Sequence, residues 1–170
     1  MSALSKQSSY IAAAGRLLMA LIFLISGVGK IATPAATLNY IASAGLPLPA
    51  LGYLIAIAVE LGGGMLLVVG FQTRAAAIVM TIFTIATAFS FHHDFADPNQ
   101  MTHFLKNFAM AGGLLQIVAF GAGAFSIDER LGHALRRASA QPFSIGSARG
   151  RHDHGKLIKP FVSLDQSGLE

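Results

Sequence analysis

Glu60 is the residue whose type and place ask most of the chain. It lies eleven residues beyond Pro49 inside an apolar stretch, roughly 16 Å along a helix and so near the middle of a bilayer. An ionisable group at that depth must be protonated, paired or hydrated. It marks either an ion pair that fixes helix register or a site that handles protons or a ligand. Gly52, Ala56, Glu60 and Gly64 recur every four residues, so the carboxyl shares its face with small residues that let another helix approach. Two cations are candidate partners: Lys30, one turn after Ser26, and Lys106 in a later apolar stretch. Helix rotation decides between them, and the sequence leaves both open. The plainer reading of Lys30 is an interfacial anchor whose ammonium reaches towards water.

His103, Lys106 and Asn107 stand at i, i+3 and i+4, on one side of a helix. His92 and His93 close the preceding apolar stretch, which builds a polar rim over the buried acid. A histidine there can relay protons to a carboxyl. The expected catalytic set is therefore Glu60, Lys106 and His103, with Lys30, Asn107 and Ser26 as ligand-binding residues. No metal site is expected. His92 and His93, even with Asp94 or Asp97, are weak ligand candidates because their spacing fits no specific metal or haem signature. Thr81, Thr84 and Ala88 read as a packing stripe, and His152-Asp153-His154 as a solvated polar stretch. The chain has no Cys, so thiol redox centres, disulfides and thiol-ligated cofactors are excluded. Nucleotide-binding and hydrolase motifs are also absent from the sequence.

Of the 170 residues, 54% are hydrophobic and 12% charged, with a mean hydropathy of +0.60. That balance belongs to a membrane protein. Apolar stretches cover residues 11–31, 48–70, 75–91 and 104–125, each near the length that crosses a bilayer. The predicted fold is all-α, a polytopic four-helix transmembrane bundle. Between the first two spans, Pro34 to Ala44 predicts a short interfacial helix ending at Gly45. Phe71-Gln72-Thr73-Arg74 is so short that the second and third spans must be antiparallel neighbours. Lys6, Arg16, Arg74, Arg130, Arg136 and Arg137 fall on one side of this layout, with only Lys30 and Lys106 near the other. The excess of basic residues predicts both termini in the cytoplasm, and the net charge of +4 is better explained by topology than by nucleic acid. Residues 1–128 form the membrane domain. Residues 129–170 read as a basic cytoplasmic tail without sustained apolar period, surface-bound at first and partly disordered later.

Several short motifs resemble the DoxX family of bacterial inner-membrane proteins. They are Arg16-Leu17-Leu18, Ser26-Gly27-Val28-Gly29-Lys30, Glu60-Leu61-Gly62-Gly63-Gly64, Gly70-Phe71-Gln72-Thr73-Arg74 and His103-Phe104-Leu105-Lys106-Asn107 with Gly112-Gly113. The resemblance runs from about Gly15 to Asp128. It implies four inner-membrane helices, with the first retained as a span and not cleaved as a leader. It also implies a family named after a subunit associated with thiosulfate:quinone oxidoreductase, many of whose members are labelled oxidoreductases. Importance would pass to Lys30, Glu60, Arg74, His103, Lys106 and Asn107. The leading expectation is a redox-associated accessory subunit that meets quinone or a redox partner protein in the lipid bilayer. The rivals are a small transporter or ligand-binding module, and a structural partner subunit.

Overall fold

The computed structural model describes residues 3–140. Residues 141–170, which include His152-Asp153-His154 and the distal part of the basic tail, lie outside the described residues. Among the described residues the secondary structure is helical, with no strand. Helix α1 runs Ala3–Ala32, α2 Pro34–Ser43, α3 Pro49–Ile57, α4 Gly64–Val69, α5 Thr73–Phe91, α6 Pro98–Phe120 and α7 Ile127–Ala140. A π-helical segment, Ala58–Gly63, joins α3 to α4, so these form one continuous rod.

Among the described residues three stretches are long and apolar enough to cross a membrane: Gln7–Ala32 in α1, Pro49–Val69 through the π segment, and Thr73–Phe91. Their outward residues agree with that reading. Leu18, Ile25, Leu54 and Ile82 are each more than 60% exposed, an apolar skin that water would not tolerate and lipid requires.

Turn chemistry sets the boundaries. Pro34 and Pro49 open α2 and α3 at the first helical positions, where a missing N–H costs nothing. Gly70 turns left-handed at φ 68° to end α4, and α5 begins three residues later at Thr73. A Cβ at Gly70 would meet Ser126 Cβ at 2.6 Å and Arg16 Nη1 at 2.7 Å, so glycine is needed for space as well as for its φ. Asp97 caps α6 by accepting from the Asn99 amide at 2.9 Å, with Pro98 at the first turn. The helix thus starts before the apolar stretch, and it stops at Phe120, not at residue 125 as the hydrophobicity suggests. Gly121, at φ 81°, breaks it.

The core is small-sided. Ala20, Phe23, Leu67, Ala77, Met80 and Leu114 form one buried cluster drawn from α1, α4, α5 and α6. Helix α5 packs along α6, and α1 along the α3–α4 rod. Thr81 and Thr84 donate to the carbonyls of Ala77 and Met80, both at 2.7 Å, which satisfies their hydroxyls inside α5 and leaves the stripe for packing.

Candidate functional site

The site begins at a glycine. A Cβ on Gly27 would lie 2.6 Å from Leu61 Cδ2 and 3.3 Å from Glu60 Cβ, so α1 and the π segment can approach this closely only because position 27 has no side chain. One turn along α1, Lys30 then reaches Glu60. Its Nζ lies 2.9 Å from Oε1 and 2.8 Å from Oε2, and donates to Ser26 Oγ at 2.8 Å. An ammonium has three donors, and three oxygens meet it. Glu60 is 6% exposed and the Lys30 side chain 26%, which makes the pair a buried acid under a partly open base. Tyr53 adds a hydrogen bond from its hydroxyl to the Lys30 carbonyl at 3.4 Å.

Of the two cations left open by the sequence, Lys30 makes the ion pair. Lys106 lines the same cavity as Glu60 and Lys30, together with Ser26 and Asn107. The cavity holds about 520 Å³ and has mostly apolar walls, among them Phe23, Ile41, Phe91 and Met110. Thr84, Thr87 and Ser90 of α5 add polar points. Tyr40 of the short helix α2 stacks on Phe91 of α5, centroids 5.2 Å apart, and both rings face the cavity. Helix α2 therefore forms part of the cavity wall. Sequence reading missed Tyr40, Thr87 and Ser90, because an aromatic or hydroxyl in an apolar helix has no spacing signature of its own.

The histidine rim is present but divided. His92 lines the cavity, stacks on His103 with centroids 5.0 Å apart and lies 2.9 Å from Gln100 Oε1 through its Nδ1. His103 lies 3.1 Å from Lys106 Nζ, behind that lysine and outside the cavity lining. His93 is exposed and takes no part. Among the described residues no cluster of three or more His, Cys, Asp or Glu could hold a metal.

At the other end of the helices a second polar network ties the chain together. Buried Arg16 donates to the carbonyls of Ala122 and Phe125, the latter at 2.7 Å. Asp128 accepts from the amides of Gln72 and Thr73 at 2.8 and 2.9 Å, capping α5 from a distant segment. Burial alone would raise the Asp128 carboxyl. The Thr73 and Gln72 hydrogen bonds and the Arg16 charge outweigh it and hold the group below its ordinary value. Arg74 sits beside this network, its Nη2 at 3.5 Å from the Ala119 carbonyl, far from the cavity lining.

An apolar-skinned helical assembly with a charged pair enclosed in an apolar cavity defines a polytopic integral membrane protein. Within that class the chain belongs to the DoxX family. The DoxX family model matches residues 11–93, which contain both members of the ion pair. The chain is 38% identical over 118 residues to the inner membrane protein YqjF of Escherichia coli K12, covering 68% of this chain and 88% of that one. It is 38% identical over 121 residues to the inner membrane protein YphA of the same organism, covering 68% and 86%. No solved structure matches the chain.

Proposed function

We propose that this DoxX protein is an inner-membrane, quinone-interacting accessory subunit whose cavity holds the head group of an amphiphile. The observation that carries the reading is the Lys30–Glu60 pair sharing one apolar-walled cavity with Lys106. Glu60 is already matched by Lys30, which leaves the Lys106 ammonium, beside the Asn107 amide, to donate to a carbonyl or anionic oxygen. Apolar walls suit a ring and tail, and the few polar points suit a quinone's two carbonyls. Lys30 and Glu60 can hold and exchange protons at the head group. A quinone that takes two electrons from a redox partner protein needs two protons to become quinol, and the pair lies where they would be delivered.

The reading includes α6 as the fourth span. Its 23 residues reach about 35 Å, enough for a ~30 Å hydrocarbon core. His103, Lys106 and Asn107 lower its apolar character near the start, where a helix leaves the interface. An even number of crossings, with the basic residues gathered at one end, puts both termini in the cytoplasm.

A second reading is a binding or transport module that moves no electrons. The absence of Cys favours it, since no thiol is present to carry electrons or to ligate a redox cofactor. Absorption spectra and extracted-ligand mass analysis on protein purified in mild detergent separate the two. Co-purifying quinone supports the first reading. A different amphiphile in stoichiometric amount, with no quinone, replaces it with the second.

A further inference from the structure

Helix α7 has an apolar face that no described element covers. Ile127, Leu131 and Leu135 recur every four residues and are 39%, 48% and 71% exposed, with Ala134 and Ala138 filling the same arc. Arg130 and Arg137, seven residues apart, flank that arc on one edge, and Arg136 projects from the polar side. The two acids of the helix are engaged within the fold. Asp128 caps α5, and Glu129 lies 3.1 Å from His133. Three guanidinium groups against the one outward carboxylate of Glu129 leave the exposed surface of this helix net positive.

The start of α7 is fixed at the end of the membrane-spanning helices. The Asp128 amide donates to the Gly70 carbonyl at 2.9 Å, and Ser126 Oγ accepts from the Glu129 amide at 3.2 Å, a cap on the first turn. Phe120 and Phe125 are 80% and 48% exposed just before it, and Tyr10 packs on Phe125 at 4.8 Å. Aromatic rings at this level are the usual border between hydrocarbon and head groups. Ile127 thus opens the apolar arc of α7 two residues after an exposed ring at that level.

We propose that α7 is a lipid-recognition helix, lying in the head-group layer with Ile127, Leu131 and Leu135 inserted and Arg130 and Arg137, at the edge of that arc, on the phosphates of anionic phospholipids. The occupant is the leaflet and not a second protein, because the stripe starts where the helix is anchored at the ends of the spans and its flanking charge complements an anionic surface. The proposal is independent of what the cavity binds.

The lack of Cys makes the test clean. Full-length protein carrying Leu131→Cys or Glu129→Cys is labelled with a polarity-sensitive fluorophore and reconstituted into vesicles of phosphatidylcholine, alone or mixed with phosphatidylglycerol. The Leu131 label should shift to the blue in the anionic vesicles and the Glu129 label should stay wet. Adding Arg130→Gln and Arg137→Gln together should lower the ratio of inserted to exposed label at least about tenfold, and added salt should act in the same direction. A Leu131 label that stays water-exposed in anionic vesicles, or that shifts equally in both lipids, overturns the proposal.

Discussion

Three oxygens meet the Lys30 ammonium, two from Glu60 and one from Ser26, and this local completeness dictates how the site should respond to substitution. Removing either charge leaves the other buried and unmatched, which costs more than the pair itself contributes. Glu60→Gln and Lys30→Gln should each lower the melting midpoint in detergent, and the double variant should be less destabilised than the sum of the two. Additive losses in a thermal-shift series would show that the two side chains are not coupled. That Glu60 is a buried ionisable group was legible from the sequence, because an acid in an apolar stretch stands out. Its partner was not, since the choice between Lys30 and Lys106 depends on helix rotation. Spacing alone also set His103 on the same footing as Lys106 and Asn107, whereas the structure puts it behind Lys106 and outside the cavity lining.

Between elements, the close crossing of α1 with the π segment depends on Gly27. Gly27→Ala puts a methyl 2.6 Å from Leu61 Cδ2, while a Cβ on Gly29 meets nothing within 4 Å. The first substitution should destabilise by about 1–3 kcal/mol as overpacking does. The second should be neutral or slightly stabilising, as glycine to alanine is within a helix. Equal melting midpoints for the two would contradict the close-contact account. The Asp128 cap makes a second prediction. Its carboxyl is held below the ordinary value, so its contribution is fully present above the unfolded value and is lost as pH falls through the lower folded one. Asp128→Asn keeps one acceptor oxygen where the carboxylate uses two, so it should cost about 1 kcal/mol at neutral pH, and the gap between variant and parent should narrow on acidification below the usual carboxylate range. A gap that holds constant with pH would exclude the cap.

The elements were partly legible. Pro34, Pro49 and the short 71–74 link set boundaries close to those observed, since proline and tight turns act locally. Other features were not. The end of α6 was drawn too late, because hydrophobicity continues through Phe125 while the backbone turns at Gly121. The π segment, Ala58-Val59-Glu60-Leu61-Gly62-Gly63, has no residue signature of its own. Helix α7 was read as polar tail, as Gly132 and three arginines dilute the Ile127, Leu131, Leu135 period.

On the scale of the whole molecule, the apolar skin and the family place the chain in a membrane, and the proposed fourth crossing by α6 is what topology tests. Reporter fusions at the two termini should both report the cytoplasmic side. Opposite sides would remove α6 as a span and, with it, the depth assigned to Lys106 and Asn107. The global fold class was readable from composition alone, because lipid demands apolar helices of set length. The cavity was not, because it forms from five elements whose packing no single stretch encodes.

The most direct measurement is the titration of purified protein with a short-tailed quinone, followed by calorimetry, on the parent chain, Lys106→Met and Glu60→Gln. The account predicts saturable one-to-one binding by the parent, weakened at least about tenfold by Lys106→Met, which removes one charge-assisted hydrogen bond. It predicts a comparable loss in Glu60→Gln, where Lys30 is no longer held at the cavity wall. Binding that is absent in the folded parent, or identical in all three proteins, would contradict the claim that this charged cavity is a quinone site.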